Sequence, residues 1–376
     1  MNMSSLYIHI PFCAKRCFYC DFHSGTDNTL RDKYLEALTA ELKMRIGELP
    51  ESSLDTIYIG GGTPSQLTPL QLSKIFSALE QYFNISQVKE ITIEVNPDDI
   101  TKDYLSHLRE LPINRVSMGV QSFNDRLLNT IGRRHNSQKA IEAYTLLRES
   151  GVDNISIDLM FSLPTQTIEE WEESISQAIS LQPQHISAYD LSYEPGSVLT
   201  QKLKRGEIEI CSDETSIAMY NMLIDKLSMA GYEHYEISNF ALPSYRSQHN
   251  SGYWSGVPYL GLGASAHSFD GVVRRANVSN TSLYINKVLS GEVAFEVENL
   301  TAQDRYNETI FTHLRTSNGV DLSLIEYQFG KENLHHLLRE AASYIKDGYL
   351  KEEAGRITLT RKGIVVSDSI CCDLFL

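Results

Sequence analysis

A chain of 376 residues has room for one large domain and a smaller one, and 42% hydrophobic with 9% aromatic residues suits a well-filled soluble core. No apolar run approaches the length of a membrane span, and no targeting segment is expected ahead of Leu6, so a cytoplasmic, reducing location is expected. The net charge of −15, from 33 basic against 48 acidic side chains, argues against a general nucleic-acid surface, and no nucleic acid is expected as a partner.

In chain order, short β-branched runs alternate with amphipathic stretches, the pattern of a parallel α/β protein. Strands are predicted at 6–10, 56–60, 90–95, 115–120, 154–160 and 185–191, with helices between them at 31–47, 70–83, 137–150 and 168–181. Six such units predict a partial (β/α)6 barrel rather than a doubly wound sheet. The period-2 reading supports this. One parity is apolar, as in Ile57 and Ile59 or Ile91, Ile93 and Val95; the other carries Tyr7, His9, Tyr58, Glu94, Gln121 and Asp158. Barrel interiors are ordinarily filled by branched apolar residues. Buried polar groups are costly without partners, so a polar lumen predicts a ligand cavity.

Beyond about Leu199 the pattern changes. A helix is predicted over 213–230, followed by a stretch dense in Tyr, Gly, Ser and His. From Thr301 helices and a small hairpin predict a winged-helix-like module. Its nine basic and eleven acidic side chains lack the footprint of a DNA binder, so a lid or partner-binding role is expected. The expected division is a barrel over 1–198, a connecting region over 199–300 and a C-terminal domain over 301–376.

Three cysteines, Cys13, Cys17 and Cys20, follow the first predicted strand within eight residues. Three thiolates can hold three irons of a cubane, which normally takes four cysteines, leaving one iron for an exogenous ligand. A structural zinc site is the alternative, with His23 as a fourth ligand, but no second pair of ligands at zinc-knuckle spacing is present. Disulfides are disfavoured, and Cys211, Cys371 and Cys372 read as small apolar fillers. Gly60-Gly61-Gly62-Thr63-Pro64 lets the backbone approach a ligand closely. Glu94, Gln121, Arg133 and Asp158 fall at or just after the carboxyl ends of predicted strands, the active face of a barrel.

The cysteine spacing resembles the radical S-adenosylmethionine superfamily, which implies a [4Fe-4S] cluster whose open iron takes S-adenosylmethionine. Tyr7-Ile8-His9-Ile10-Pro11-Phe12-Cys13, the glycine run, Glu94-Val95-Asn96-Pro97 and Gly119-Val120-Gln121-Ser122-Phe123 resemble the coproporphyrinogen III dehydrogenase group. That resemblance implies cofactor contacts from Tyr7, Gly61, Gly62, Thr63, Glu94, Gln121, Arg133 and Asp158. The dehydrogenase has a fourth cysteine where this chain has Phe22, and an N-terminal extension where this chain has six residues. Both differences set porphyrinogen decarboxylation in doubt. The segment His249-Asn250-Ser251-Gly252-Tyr253-Trp254 resembles the His-Asn-x-x-Tyr-Trp element of haem chaperones of the HemW type. It implies haem as a third cofactor, His249 as its ligand and Tyr253 and Trp254 as flat faces for the porphyrin. The function so implied is haem delivery to apo-haemoproteins such as respiratory-chain components, with transient membrane contact through those partners. The competing expectation is the radical decarboxylation of coproporphyrinogen III to protoporphyrinogen IX.

Overall fold

A computed structural model describes residues 4–49 and 54–376. Six parallel strands form its centre: β1 (Ser5–Ile10), β2 (Thr56–Gly61), β3 (Glu90–Val95), β4 (Arg115–Gln121), β5 (Asn154–Phe161) and β6 (His185–Asp190). Between and after them run α1 (Arg31–Arg45), α2 (Pro69–Leu79), α3 (Lys102–Leu108), α4 (Asp125–Thr130), α5 (Ser137–Glu149), α6 (Ile168–Leu181) and α7 (Val198–Lys204). The predicted alternation is therefore present, as the partial barrel required. Local signals set several helix starts. Thr68 and Gln71 close a capping box at α2, with Pro69 at its first position, and Thr167 with Glu170 does the same at α6.

The alternation along each strand sorts side chains as expected. Ile57, Ile59, Ile91, Ile93, Val116 and Met118 are buried against the helices, while Tyr58, Glu94, Gly119 and Asp158 look into the concave side. The fully buried Trp171 of α6 donates its indole N–H to the carbonyl of Met219 at 3.0 Å. Met219 lies on α8 (Asp213–Met229), and this bond joins the two helices behind β5 and β6.

Residues 199–300 extend the sheet at both edges. They add β7 (Glu233–Glu236) and β8 (Asn239–Ala241) antiparallel beyond β6, then the short helix α9 (Gln248–Trp254). The chain crosses to the opposite edge, where β9 (Tyr259–Leu262) runs parallel to β1, and β10 (His267–Phe269), β11 (Val273–Asn277) and β12 (Phe295–Asn299) follow antiparallel. One twelve-stranded sheet results, in the order β12-β11-β10-β9-β1-β2-β3-β4-β5-β6-β8-β7. Helix α10 (Thr281–Leu289) packs beside α1.

A buried ionic node secures the new edge. Arg45 pairs with Glu41 at 2.8 Å and also donates to the Gly261 carbonyl and the Ser268 hydroxyl. Glu41 accepts from the Gly263 N–H, Asn277 and the Tyr284 hydroxyl. Four segments distant in sequence thus converge on two side chains.

The C-terminal unit holds α11 (Ala302–Leu314), β13 (Val320–Asp321), α12 (Leu322–Phe329), α13 (Lys331–Lys346), the hairpin β14 (Leu350–Glu353) and β15 (Arg356–Leu359), α14 (Arg361–Ile364) and α15 (Ser367–Asp373). It has its own core around Tyr306, Leu337, Ile357 and Leu374, a winged-helix-like module as expected. Cys371 fills that core, but Cys372 is exposed and Cys211 half-buried, so those two are not core fillers: Cys372 follows Cys371 on α15 and turns to the helix's outer face. Backbone bonds from Ile237 N–H to the Arg315 carbonyl and from Ser317 N–H to the Tyr235 carbonyl tie this unit to the barrel. Among the described residues no helix is long and apolar enough to cross a membrane.

Glu41→Ala leaves the buried Arg45 guanidinium with Glu48 as its remaining carboxylate, at 2.9 and 3.0 Å, and strips the acceptor from the Tyr284 hydroxyl and the Gly263 N–H, at an expected cost of about 2–4 kcal/mol. Urea denaturation followed by tryptophan fluorescence checks this; a loss below about 1 kcal/mol contradicts the role given to the node.

Candidate cofactor site

The carboxyl ends of the parallel strands surround a cavity of about 580 Å³. Its wall on one side is the cysteine loop after β1. The loop closes on itself through Cys13 N–H to the Gly25 carbonyl at 2.9 Å and Gly25 N–H to the Pro11 carbonyl at 2.8 Å. Its middle is pinned from across the barrel, Phe18 N–H donating to the Ile131 carbonyl and the Phe18 carbonyl accepting from Leu199 N–H. Cys13, Cys17 and Cys20 all border the cavity. Burial pushes the Cys13 and Cys20 thiols up, so the deprotonation that a metal cluster requires must be driven by the cluster's own binding.

The glycine turn after β2 forms the next wall. Gly61 has φ +113, a conformation open mainly to glycine, and its N–H donates to Glu94 Oε2 at 3.0 Å. A side chain at Gly62 would lie 3.0 Å from the Ile10 carbonyl and 3.1 Å from Cys13 Sγ, so the turn packs directly on the cysteine loop. Thr63 donates to Cys13 Sγ at 3.3 Å.

Opposite them stand two carboxyls and two guanidinium groups. Glu94 also accepts from the Tyr58 hydroxyl at 2.8 Å; burial pushes its carboxyl up to about 7 against the pull of that bond, and Asp158 adds repulsion. Asp158 accepts from Ser117 at 3.1 Å, and burial raises it too, against bonds from neighbouring hydroxyls and the charge of Arg115. Arg133 donates to Cys17 Sγ at 3.4 Å and to the Gly119 carbonyl. Gln121 sits beside it at φ 69, where the β4–β5 register slips at Gly119 and Gln121. Such left-handed backbone in a residue with a side chain is strained and clusters at ligand sites.

These residues fit a cluster with a chelating nucleoside. Buried N–H groups of Arg115 and Arg133 border the cavity without a hydrogen-bond acceptor, and a ligand carboxylate supplies one. The zinc alternative fits poorly. His23 bonds to Thr281 Oγ1 at 2.9 Å and borders a different cavity, and among the described residues no three His, Cys, Asp or Glu side chains converge on one ion.

The site holds most of the residues expected of it: Gly61, Gly62, Thr63, Glu94, Gln121, Arg133, Asp158 and the three cysteines share one cavity. Tyr7 does not join them. Its hydroxyl meets His9 Nδ1 at 2.9 Å and it borders a neighbouring cavity, because Tyr58 on the adjacent strand fills the position over Glu94. Tyr58, which stands on the polar parity, and Arg115 and Ser117 also border the cavity, although the sequence names none of the three as a cofactor contact. Their signal was parity alone, since each shares its strand's inward face with an expected contact.

His249 lies elsewhere. It is 1% exposed, at the amino ends of the strands, on a helix whose first N–H groups are capped by Glu90. Thr56 donates to Ser5 Oγ, which leaves its oxygen to accept from His249 Nδ1 at 2.8 Å, so the other ring nitrogen accepts the Tyr253 hydroxyl at 2.9 Å. Burial and the charge of Arg115 hold its pKa down to about 3. The expected haem ligand therefore has no free lone pair in this arrangement. Trp254 also departs from the expectation of a porphyrin face: it points to the C-terminal unit, under the Arg315 guanidinium at 5.0 Å.

A strand-ringed cavity with a cysteine-loop wall defines a class, the radical S-adenosylmethionine proteins, and comparison with known proteins agrees. The radical SAM superfamily model matches residues 7–178, and the HemN C-terminal domain model matches 300–366. The coproporphyrinogen III oxidase HemN from Escherichia coli, a radical SAM enzyme, superposes with a TM-score of 0.84 at 27% identity, covering 100% of this chain and 90% of that one. The heme chaperone HemW of Bacillus subtilis (strain 168) is 36% identical over 375 residues, 98% of each chain. That of Lactococcus lactis is 34% identical over 98% of this chain and 96% of its own. The chain belongs to the HemW family.

Two measurements test the site. Cys17→Ala, reconstituted anaerobically, is expected to lose cluster iron and visible absorbance, while Cys371→Ala keeps both; iron retained by the first variant contradicts the ligand assignment. Glu94 has a folded pKa above its unfolded value, so the stability it contributes is complete below about pH 4.5 and is lost as pH rises through about 7. Glu94→Gln in the cofactor-free protein is thus expected to stabilise at pH 8 by up to about 3 kcal/mol, with no gain below pH 4.5. Thermal melts across that range decide it.

Proposed function

We propose that this protein is a cytoplasmic haem chaperone: it binds haem and passes it to apo-haemoproteins, respiratory-chain components among them, meeting membranes only through those partners. The observation that carries the reading is full-length similarity to proteins named as heme chaperones, joined to a cavity in which three thiols face a polar cradle. Cys13, Cys17 and Cys20 would hold a [4Fe-4S] cluster. Glu94 and Asp158 would accept from an ammonium or ribose hydroxyls of S-adenosylmethionine, with Gly61 and Gly62 admitting it closely and Arg115 or Arg133 receiving its carboxylate. When bound together, the cluster supplies one-electron reducing power to the sulfonium. The chain's own part is to orient, desolvate and balance charge: Tyr58 fixes the Glu94 carboxyl, Ser117 fixes Asp158, and Arg133 sits against a cluster thiol.

The fold shared with HemN favours a second reading, radical decarboxylation of coproporphyrinogen III. Phe22 stands where the fourth cysteine would be, 68% exposed at the cavity mouth, and supplies no thiol. Anaerobically reconstituted protein is expected to develop a Soret band with haemin, to hand haem to an apo-haemoprotein, and to yield no protoporphyrinogen from coproporphyrinogen III and a reductant. Absence of a Soret change removes the chaperone reading; protoporphyrinogen formation establishes the second.

A further inference from the structure

Beside the cofactor cavity lies another of about 340 Å³, and Asp21 and Phe22 border both. Its walls are aromatic. Tyr253 of α9 meets Tyr259 of β9 edge-on with ring centres 4.7 Å apart, and Phe22 projects at the opening. Three imidazoles border it, and two are already engaged. His9 meets the Tyr7 hydroxyl and the His23 carbonyl, each at 2.9 Å, and His23 bonds to Thr281. The third, His267 of β10, is exposed and its ring has no hydrogen-bond partner among the described residues. The charged group on its wall is Asp21, and the nearby Arg274 of β11 is already paired with Glu308 at 2.6 Å and Glu298 at 3.4 Å.

We propose that this cavity is the haem seat, with His267 as axial ligand and Phe22, Tyr253 and Tyr259 against the porphyrin. The inference rests on the haem-binding reading above and adds where and through which group binding occurs. An aromatic wall and a free imidazole are together the chemistry of a flat iron porphyrin whose propionates stay in water outside the opening. Ligation needs no redox partner: a neutral ring nitrogen gives its lone pair to an open axial position and displaces water. The volume is at the low end for ligand sites, so part of the macrocycle stays outside, as suits a cargo to be handed on.

His249 becomes a positioning residue. Its Nε2 accepts the Tyr253 hydroxyl at 2.9 Å, and so it orients a ring of the haem wall from beneath without meeting iron.

The test is haemin titration of the full-length reconstituted protein, read by Soret absorbance and by paramagnetic resonance of the ferric iron. His267→Ala is expected to weaken binding about tenfold or more and to abolish the histidine-ligated signature. His267→Met is expected to bind with a spectrum of thioether type, which a merely misfolded variant does not give. His249→Ala and Tyr253→Phe are expected to weaken binding alike while the histidine signature persists. A wild-type protein that binds haemin while His267→Ala keeps an unchanged spectrum overturns the proposed seat alone, as does loss of the histidine signature in His249→Ala with His267 intact. A wild-type protein that shows no haemin spectrum overturns both the seat and the chaperone reading.

Discussion

Charge held out of water on the concave face of the sheet is the condition on which this structure turns. Glu94 and Asp158 are raised by burial, and Arg115, 1% exposed, keeps N–H groups without an acceptor. Such an arrangement is costly in an empty barrel. A bound polar ligand would offset that cost by supplying the missing partners. The apolar parity of the same strands meets the cost by packing Ile57, Ile93, Val116 and their neighbours against the helices. Stability is thus built on one face of each strand and binding on the other.

The cysteine loop is held to that face from three directions: by its own closure at Gly25, by the glycine turn beneath Cys13, and by Phe18 bonded to Ile131 after α4 and to Leu199 in the first turn of α7. A loop so restrained keeps Cys13, Cys17 and Cys20 at the wall of the cavity. Its far end, Asp21 and Phe22, is shared by two cavities. Whatever occupies one therefore borders the other through two residues.

Helix α9 shows how a compact motif divides its labour. A helix advances about 100° per residue, so neighbouring side chains leave in different directions. Asn250 borders the cofactor cavity, Tyr253 the adjacent aromatic one, Trp254 the C-terminal unit, and His249 is enclosed between Thr56 and Tyr253. Glu90 anchors the whole by capping the helix start. The motif links three regions instead of forming one surface.

Much was legible from residues alone. The six central strands and their helices follow from period-2 and period-3.6 patterns, which are local, and the three cysteines that border the cavity stand out by their spacing within eight residues. The inward parity identified Glu94 and Asp158 because both faces of a strand are written in its own sequence. Arg115 stayed hidden, since a charged residue opening a strand reads as surface. The flanking strands β7 to β12 stayed hidden as well, being three to five residues long, and the β9 edge is held by partners more than two hundred positions away in the Glu41–Arg45 node. The order of the elements and the place of the cysteine loop after β1 are encoded locally, and the sequence determined them unaided. The direction in which His249 faces, and which imidazole is left free, depend on hydrogen bonds that exist only once distant segments have met, and only the tertiary structure decided those.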